Sequence, residues 1–137
     1  KCYENDFAMK KNLVKKIAMK NETNHRNLEV WKLAMLLVKK TYHYTSQFPI
    51  NEMYGLTTQL RRASVSICAN IAEGKGRLGR NEFKHFLNIA RGSTIETMSH
   101  LEIALMLGFI NSDEYKVLNE LADRISAMLY KLINSLQ

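Results

Sequence analysis

From residue 27 onward, apolar residues recur every third or fourth position rather than every second, a pattern that predicts helices and no strands. Leu28, Trp31, Met35, Val38 and Tyr42 form the stripe of a first helix, with Leu33, Leu37 and Tyr44 beside it. Asn27 reads as its N-cap, Glu29 suits its first turn, and Pro49 must lie beyond its end. A second helix begins between Met53 and Thr57. Leu56, Leu60, Ala63, Ile67 and Ile71 line one face of it, and Val65, Cys68, Ala69 and Ala72 widen that face. Gly74 is the expected stop, as a glycine in the left-handed conformation. Gly79 opens a third helix with Glu82 in its first turn; Phe83, Phe86, Leu87, Ala90, Met98, Leu101 and Leu105 follow, and Gly108 ends it. Asn111 or Ser112 caps a fourth, where Tyr115, Leu118, Ala122, Ile125, Leu129, Leu132 and Leu136 alternate three and four apart. Links of about ten residues or fewer between long helices make sequential helices antiparallel neighbours. The expected fold is therefore all-α: an antiparallel, up-down-up-down four-helix bundle over residues 27–137.

Size and composition agree with a single domain. The chain has 137 residues, 46% hydrophobic and 24% charged, with one Pro and six Gly, too few for a turn-rich β fold. No apolar run is long enough to span a bilayer, and no signal peptide is evident. Cys2 and Cys68 do not make a disulfide framework and read as reduced thiols in a cytoplasm. Residues 1–26 stand apart. They hold seven Lys/Arg against three acids and read as a basic, solvated N-terminal arm, with Met9 and Met19 as plausible starts; a short amphipathic helix is the other reading.

Charge changes the picture more than composition does. The net charge is +7, but residues 61–91 hold seven Lys/Arg against two acids, while residues 92–137 hold three against six. A concentrated positive segment points to an anionic partner.

The motifs narrow the chemistry. Gly74-Lys75-Gly76-Arg77-Leu78-Gly79 matches GxGxxG, yet a helix precedes it where a dinucleotide fold needs a strand. It reads instead as a corner between two helices. There the N-terminus of the third helix, with Arg77, Arg80, Lys84 and nearby Lys75, suits a phosphate backbone; simple surface charge is the competing reading. Arg61 and Arg62 diverge by about 100° on their helix, so at least one sits at the margin of the buried stripe, with Glu73, Glu96 or Glu102 as the expected partner. The single Glu82-Phe83-Lys84-His85 motif does not make a di-iron site, which needs two such motifs and two more glutamates. The histidines lack zinc-ligand spacing, and no nucleophile, paired carboxylates or cofactor motif is apparent. Cys68, amid Val65, Ile67, Ala69 and Ile71, is expected to be an inert core thiol. No catalytic residue, metal or cofactor is assigned.

Several stretches resemble the four-helix-bundle family of bacterial 23S rRNA-intervening-sequence proteins. They are Asn27-Leu28-Glu29-Val30-Trp31, Phe48-Pro49, Tyr54 through Ala63 and, most specifically, Val65-Ser66-Ile67-Cys68-Ala69-Asn70-Ile71-Ala72-Glu73-Gly74-x-Gly76-Arg77. Glu82-Phe83, Phe86-Leu87, Ala90, Gly92-Ser93 and Glu96 continue at the family's spacing. Two positions depart from it: the family usually has Pro at position 68 and often Ser at position 79. The resemblance implies a bundle that assembles into a ring, typically a homopentamer. It also implies kinship with the accessory proteins of diversity-generating retroelements, which bind nucleic acid and a reverse transcriptase. Members are encoded within insertions in large-subunit rRNA genes.

The expected function is thus a cytoplasmic, non-enzymatic homo-oligomer that contacts RNA or DNA backbone through Arg62, Lys75, Arg77, Arg80, Lys84 and Arg91, with Arg61 a further candidate. The resemblance also implies a nucleic-acid-processing protein such as a reverse transcriptase as a partner. The alternative is a protein–protein adaptor that does not itself touch nucleic acid.

Overall fold

A computed structural model describes residues 8–13 and 25–136. Four long helices dominate: α1 (Glu29–Thr45), α2 (Leu56–Gly76), α3 (Arg80–Met106) and α4 (Ser112–Ser135). Short 3₁₀ turns at His25–Asn27 and Ile50–Glu52 precede α1 and α2, and residues 8–13 are helical and exposed. No strand occurs among the described residues. The arm expected over residues 1–26 otherwise lies outside them.

Each long helix packs against two others: α1 on α2 and α4, and α3 on α2 and α4. Two ends result. Phe48, in the α1–α2 link, meets Phe109, in the α3–α4 link, with ring centroids 5.6 Å apart. The α2–α3 link lies at the other end, where Leu136 joins Leu78 and Gly79 in lining one concavity. Ser66 and Ser93 touch hydroxyl to hydroxyl at 3.0 Å, each about a dozen residues from that link, so α2 and α3 run antiparallel.

Leu37, Leu60, Ile67, Ile71, Leu87, Leu101, Leu118, Ile125 and Leu129 are fully buried. The stripe on α4 falls as its spacing predicts, with Leu118, Ala122, Ile125 and Leu129 buried and Ile133 added. On α1 the core line is a different one. Val30, Ala34, Leu37, Thr41 and Thr45 are buried, whereas Met35 and Tyr42 are exposed. Two core threonines hide this line from a count of apolar residues. Thr45 tolerates burial because its hydroxyl donates to the Thr41 carbonyl at 2.6 Å, just as Thr94 and Thr97 donate to Ala90 and Ser93.

The helix ends repeat the contrast. Asn111 accepts from the Glu114 N–H at 2.8 Å while the Glu114 carboxylate accepts from the Asn111 N–H, a full capping box. Gly108 takes φ +75°, with its N–H on Leu105 and the Phe109 N–H on Ala104, the paired bonds of a Schellman stop. At the start of α1 the expected cap fails. Asn27 belongs to the 3₁₀ turn, and Leu28 occupies the cap position without a side-chain bond. Gly74 is not a stop either. α2 continues through Gly76, and Gly74 is buried against α3.

Candidate nucleic-acid interface

The corner between α2 and α3 is made by two residues that break helical geometry. Arg77 is extended (φ −80°, ψ 149°), and Gly79 re-enters α3 from an extended conformation with no side-chain cap. The first N–H groups of α3 therefore face outward unclaimed by a cap, where the helix dipole is positive. Gly76 and Gly79 have ordinary negative φ, and a Cβ on either would meet nothing closer than 4.0 Å. Bare backbone is thus exposed on both sides of Leu78.

Around this corner, Lys75, Arg77 and Arg80 line one shallow concavity with Leu78, Gly79, Phe83 and Leu136. Two of the cations rest on rings: the Lys75 ammonium lies 5.4 Å from the Phe83 centroid and the Arg77 guanidinium 5.1 Å from that of Phe86. Arg77 also donates to Glu73 at 2.7 Å, but both side chains are about half exposed, so this pair is weak and exchangeable. The structure brings together three of the seven expected binding residues here.

The other four lie elsewhere. Lys84, half-buried, stands one turn beyond Arg80 on α3. Arg91 is further along and turns toward α4, with its guanidinium 5.4 Å from the Tyr130 ring and its Nε buried without a partner. It lines a groove with Asp123, Ser126, Ala127, Tyr130 and Lys131. Arg62 lies at mid-bundle in a polar groove with Gln59, Ser66 and Glu96, not within salt-bridge distance of that carboxylate; Glu96 pairs with His100 at 3.1 Å. Arg61 faces α1. Its Nε donates to Thr45 Oγ1 at 2.9 Å and its guanidinium covers the Tyr42 ring at 4.6 Å. The carboxylate partner expected for one of these arginines is thus replaced by a hydroxyl and a ring.

Phe83 and Phe86, which support the corner's cations, follow the apolar spacing of α3, so nothing local in the sequence marks them as part of the site. Lys131 comes in through the packing of α4 on α3, forty residues away along the chain, where no local pattern reports it.

Cys68 is buried, and burial pushes its thiol up to about 11. Among the described residues no group of three or more His, Cys, Asp or Glu could hold a metal ion, and no helix is long and apolar enough to cross a membrane.

The described residues thus make an all-helical protein with Lys75, Arg77 and Arg80 at one inter-helix corner. The family model for 23S rRNA-intervening sequence proteins matches residues 26–131, and the chain belongs to that family. Its fold is similar to a crystal structure of a protein of unknown function from the S23 ribosomal protein family of Bacteroides thetaiotaomicron VPI-5482. That likeness has a TM-score of 0.68 and 26% identity over 76% of this chain and 97% of the other. No curated protein matches the chain.

Proposed function

We propose that this chain is a non-enzymatic, oligomeric nucleic-acid-binding protein that grips phosphate backbone at the α2–α3 corner. The observation that carries the reading is the meeting of Lys75, Arg77 and Arg80 around one concavity at the uncapped start of α3. Arginine forks and free helix N–H groups both suit phosphate oxygens, and a shallow, open site suits a polymer better than a small molecule. Lys84 and Arg91 extend the contact along α3. The supporting architecture is an antiparallel up-down-up-down bundle, which the positions of the links favour. Assembly into a homopentamer in the cytoplasm, and a reverse transcriptase as partner, are part of the same proposal and rest on the family resemblance.

The test is a salt titration of the purified chain against labelled RNA and DNA duplexes. Binding weakens steeply as salt rises, through counterion release, and Arg77→Glu with Arg80→Glu removes most of it. Undetectable affinity at low salt, or a double variant equal to the parent, refutes the proposal.

A second reading has its own support. On α3 the outward side chains Ile95, Ile103 and Met106 are exposed, as is Val65 on α2. An apolar outer face of this kind suits a protein partner, as in an adaptor. A pull-down with and without nuclease separates the two: a partner that survives nuclease favours the adaptor.

A further inference from the structure

A lone exposed leucine needs no explanation; Leu78 draws attention through its position. It is 106% exposed, more than any other large apolar side chain described, and it sits at the tip of the corner. Arg77 and Arg80 flank it, Lys75 lines the same concavity, and bare glycine backbone lies on either side of it. Neither flanking glycine is required by its backbone angle or by a neighbouring atom, so the fold itself does not call for a bare tip. An apolar side chain projecting between arginines is the arrangement by which proteins enter a base step, the cations holding the two phosphates while the wedge replaces a stacking partner.

Resting on the phosphate-binding reading above, we propose that Leu78 is a wedge, and that the corner selects nucleic acid whose base stack is already interrupted, as at a bulge or a nick. A continuous duplex must be unstacked before Leu78 can enter, whereas an interrupted one offers the gap without that cost. The arginines then supply affinity and Leu78 supplies the preference.

The experiment uses the full chain and fluorescence anisotropy. The probes are a continuous duplex and the same duplex with a two-nucleotide bulge, each as RNA and as DNA, with 2-aminopurine beside the bulge. The parent is expected to favour the bulged probe by about fivefold or more and to brighten the 2-aminopurine at saturation. Leu78→Ser is expected to bind the continuous duplex as the parent does, with an unchanged salt slope, but to lose both the preference and the brightening; Leu78→Phe is expected to keep them. The RNA and DNA arms show which polymer carries the preference. Leu78→Ser retaining the preference overturns the wedge, and so does a parent that binds both probes equally; in either case the phosphate reading stands. Failure to bind any probe at low salt overturns both. A change in sedimenting mass for Leu78→Ser also overturns the wedge, since Leu78 would then be a contact between copies.

Discussion

Gly74 of α2 lies directly against Phe86 of α3: a Cβ placed on Gly74 would stand 2.7 Å from the Phe86 Cβ, 3.1 Å from Phe83 Cδ2 and 3.3 Å from the Phe83 carbonyl. The missing side chain lets the two helices close just beneath the corner, which positions the rings that carry Lys75 and Arg77. Alanine here gains helix propensity but overpacks the contact, a loss of about 1–3 kcal/mol against a gain of about 1. Gly74→Ala is therefore expected to lower the urea midpoint modestly, and Gly74→Asn to lower it further. The ordering is diagnostic. At a left-handed stop asparagine would be the milder change; in this packed helix it is the worse one.

Arg61 is expected to act on stability and not on nucleic-acid binding. Its Nε closes a chain from α2 to Thr45 and on to the Thr41 carbonyl, and its guanidinium covers Tyr42. Arg61→Ala removes a bond from a charged donor to the buried Thr45 hydroxyl and a cation–ring contact, together about 1–2 kcal/mol. Chemical denaturation should register that loss, while the slope of affinity against salt stays that of the parent. A reduced slope would return Arg61 to the binding surface.

The contrast between Arg61 and the corner shows what the pattern of residues can and cannot convey. The four helices, the Asn111 cap and the Gly108 stop were legible because each is written locally, within one turn of chain. The α1 core line was not, since Thr41 and Thr45 are polar in composition: Thr45 enters the core by turning its hydroxyl back onto the Thr41 carbonyl, and the Thr41 hydroxyl is buried without a partner. Gly74 misled for a related reason: a glycine near a helix end means a stop or a close approach, and only the neighbouring helix decides which. The grouping of Lys75, Arg77 and Arg80 at the corner was legible in the sequence, while the bearings of Arg61, Arg62 and Arg91 were not. Lys75, Arg77 and Arg80 gather because a three-residue link joins their helices. Arg61 and Arg62 differ by one position and face different helices, which follows from the 100° step once the neighbours are known.

Cys68 should be nearly inert to thiol reagents in the folded chain. Burial raises its thiol to about 11 against an ordinary 9.0, so folding favours the neutral form. That preference is fully present below the unfolded value and is lost as pH rises through about 11. At pH 8 the thiolate fraction falls roughly two orders of magnitude below that of a free cysteine. In a Cys2→Ser background, alkylation at pH 8 should be slow until denaturant is added, and should then reach one equivalent. Fast modification in native buffer would mean that α2 opens locally.

Two glycines of the α3 region should respond to alanine with opposite signs. Gly108 holds φ +75° at the Schellman stop, where a Cβ is strained, so Gly108→Ala is expected to destabilise by about 1 kcal/mol. Gly92 lies in the middle of α3 on its exposed side, and a Cβ there meets nothing within 4 Å. Gly92→Ala should therefore stabilise an isolated chain by about 0.5–1 kcal/mol through backbone entropy alone. The second sign also reports on assembly, because Gly92 shares the outward side of α3 with Ile95 and Ile103. If another copy packs closely on that side, the added methyl meets the neighbouring chain. The gain then disappears and the sedimenting mass or its concentration dependence shifts. Thermal denaturation at two protein concentrations, read beside sedimentation velocity, distinguishes the cases: a uniform rise in Tm at unchanged mass means that the middle of α3 faces solvent, and a loss of mass means that the oligomer is built on it.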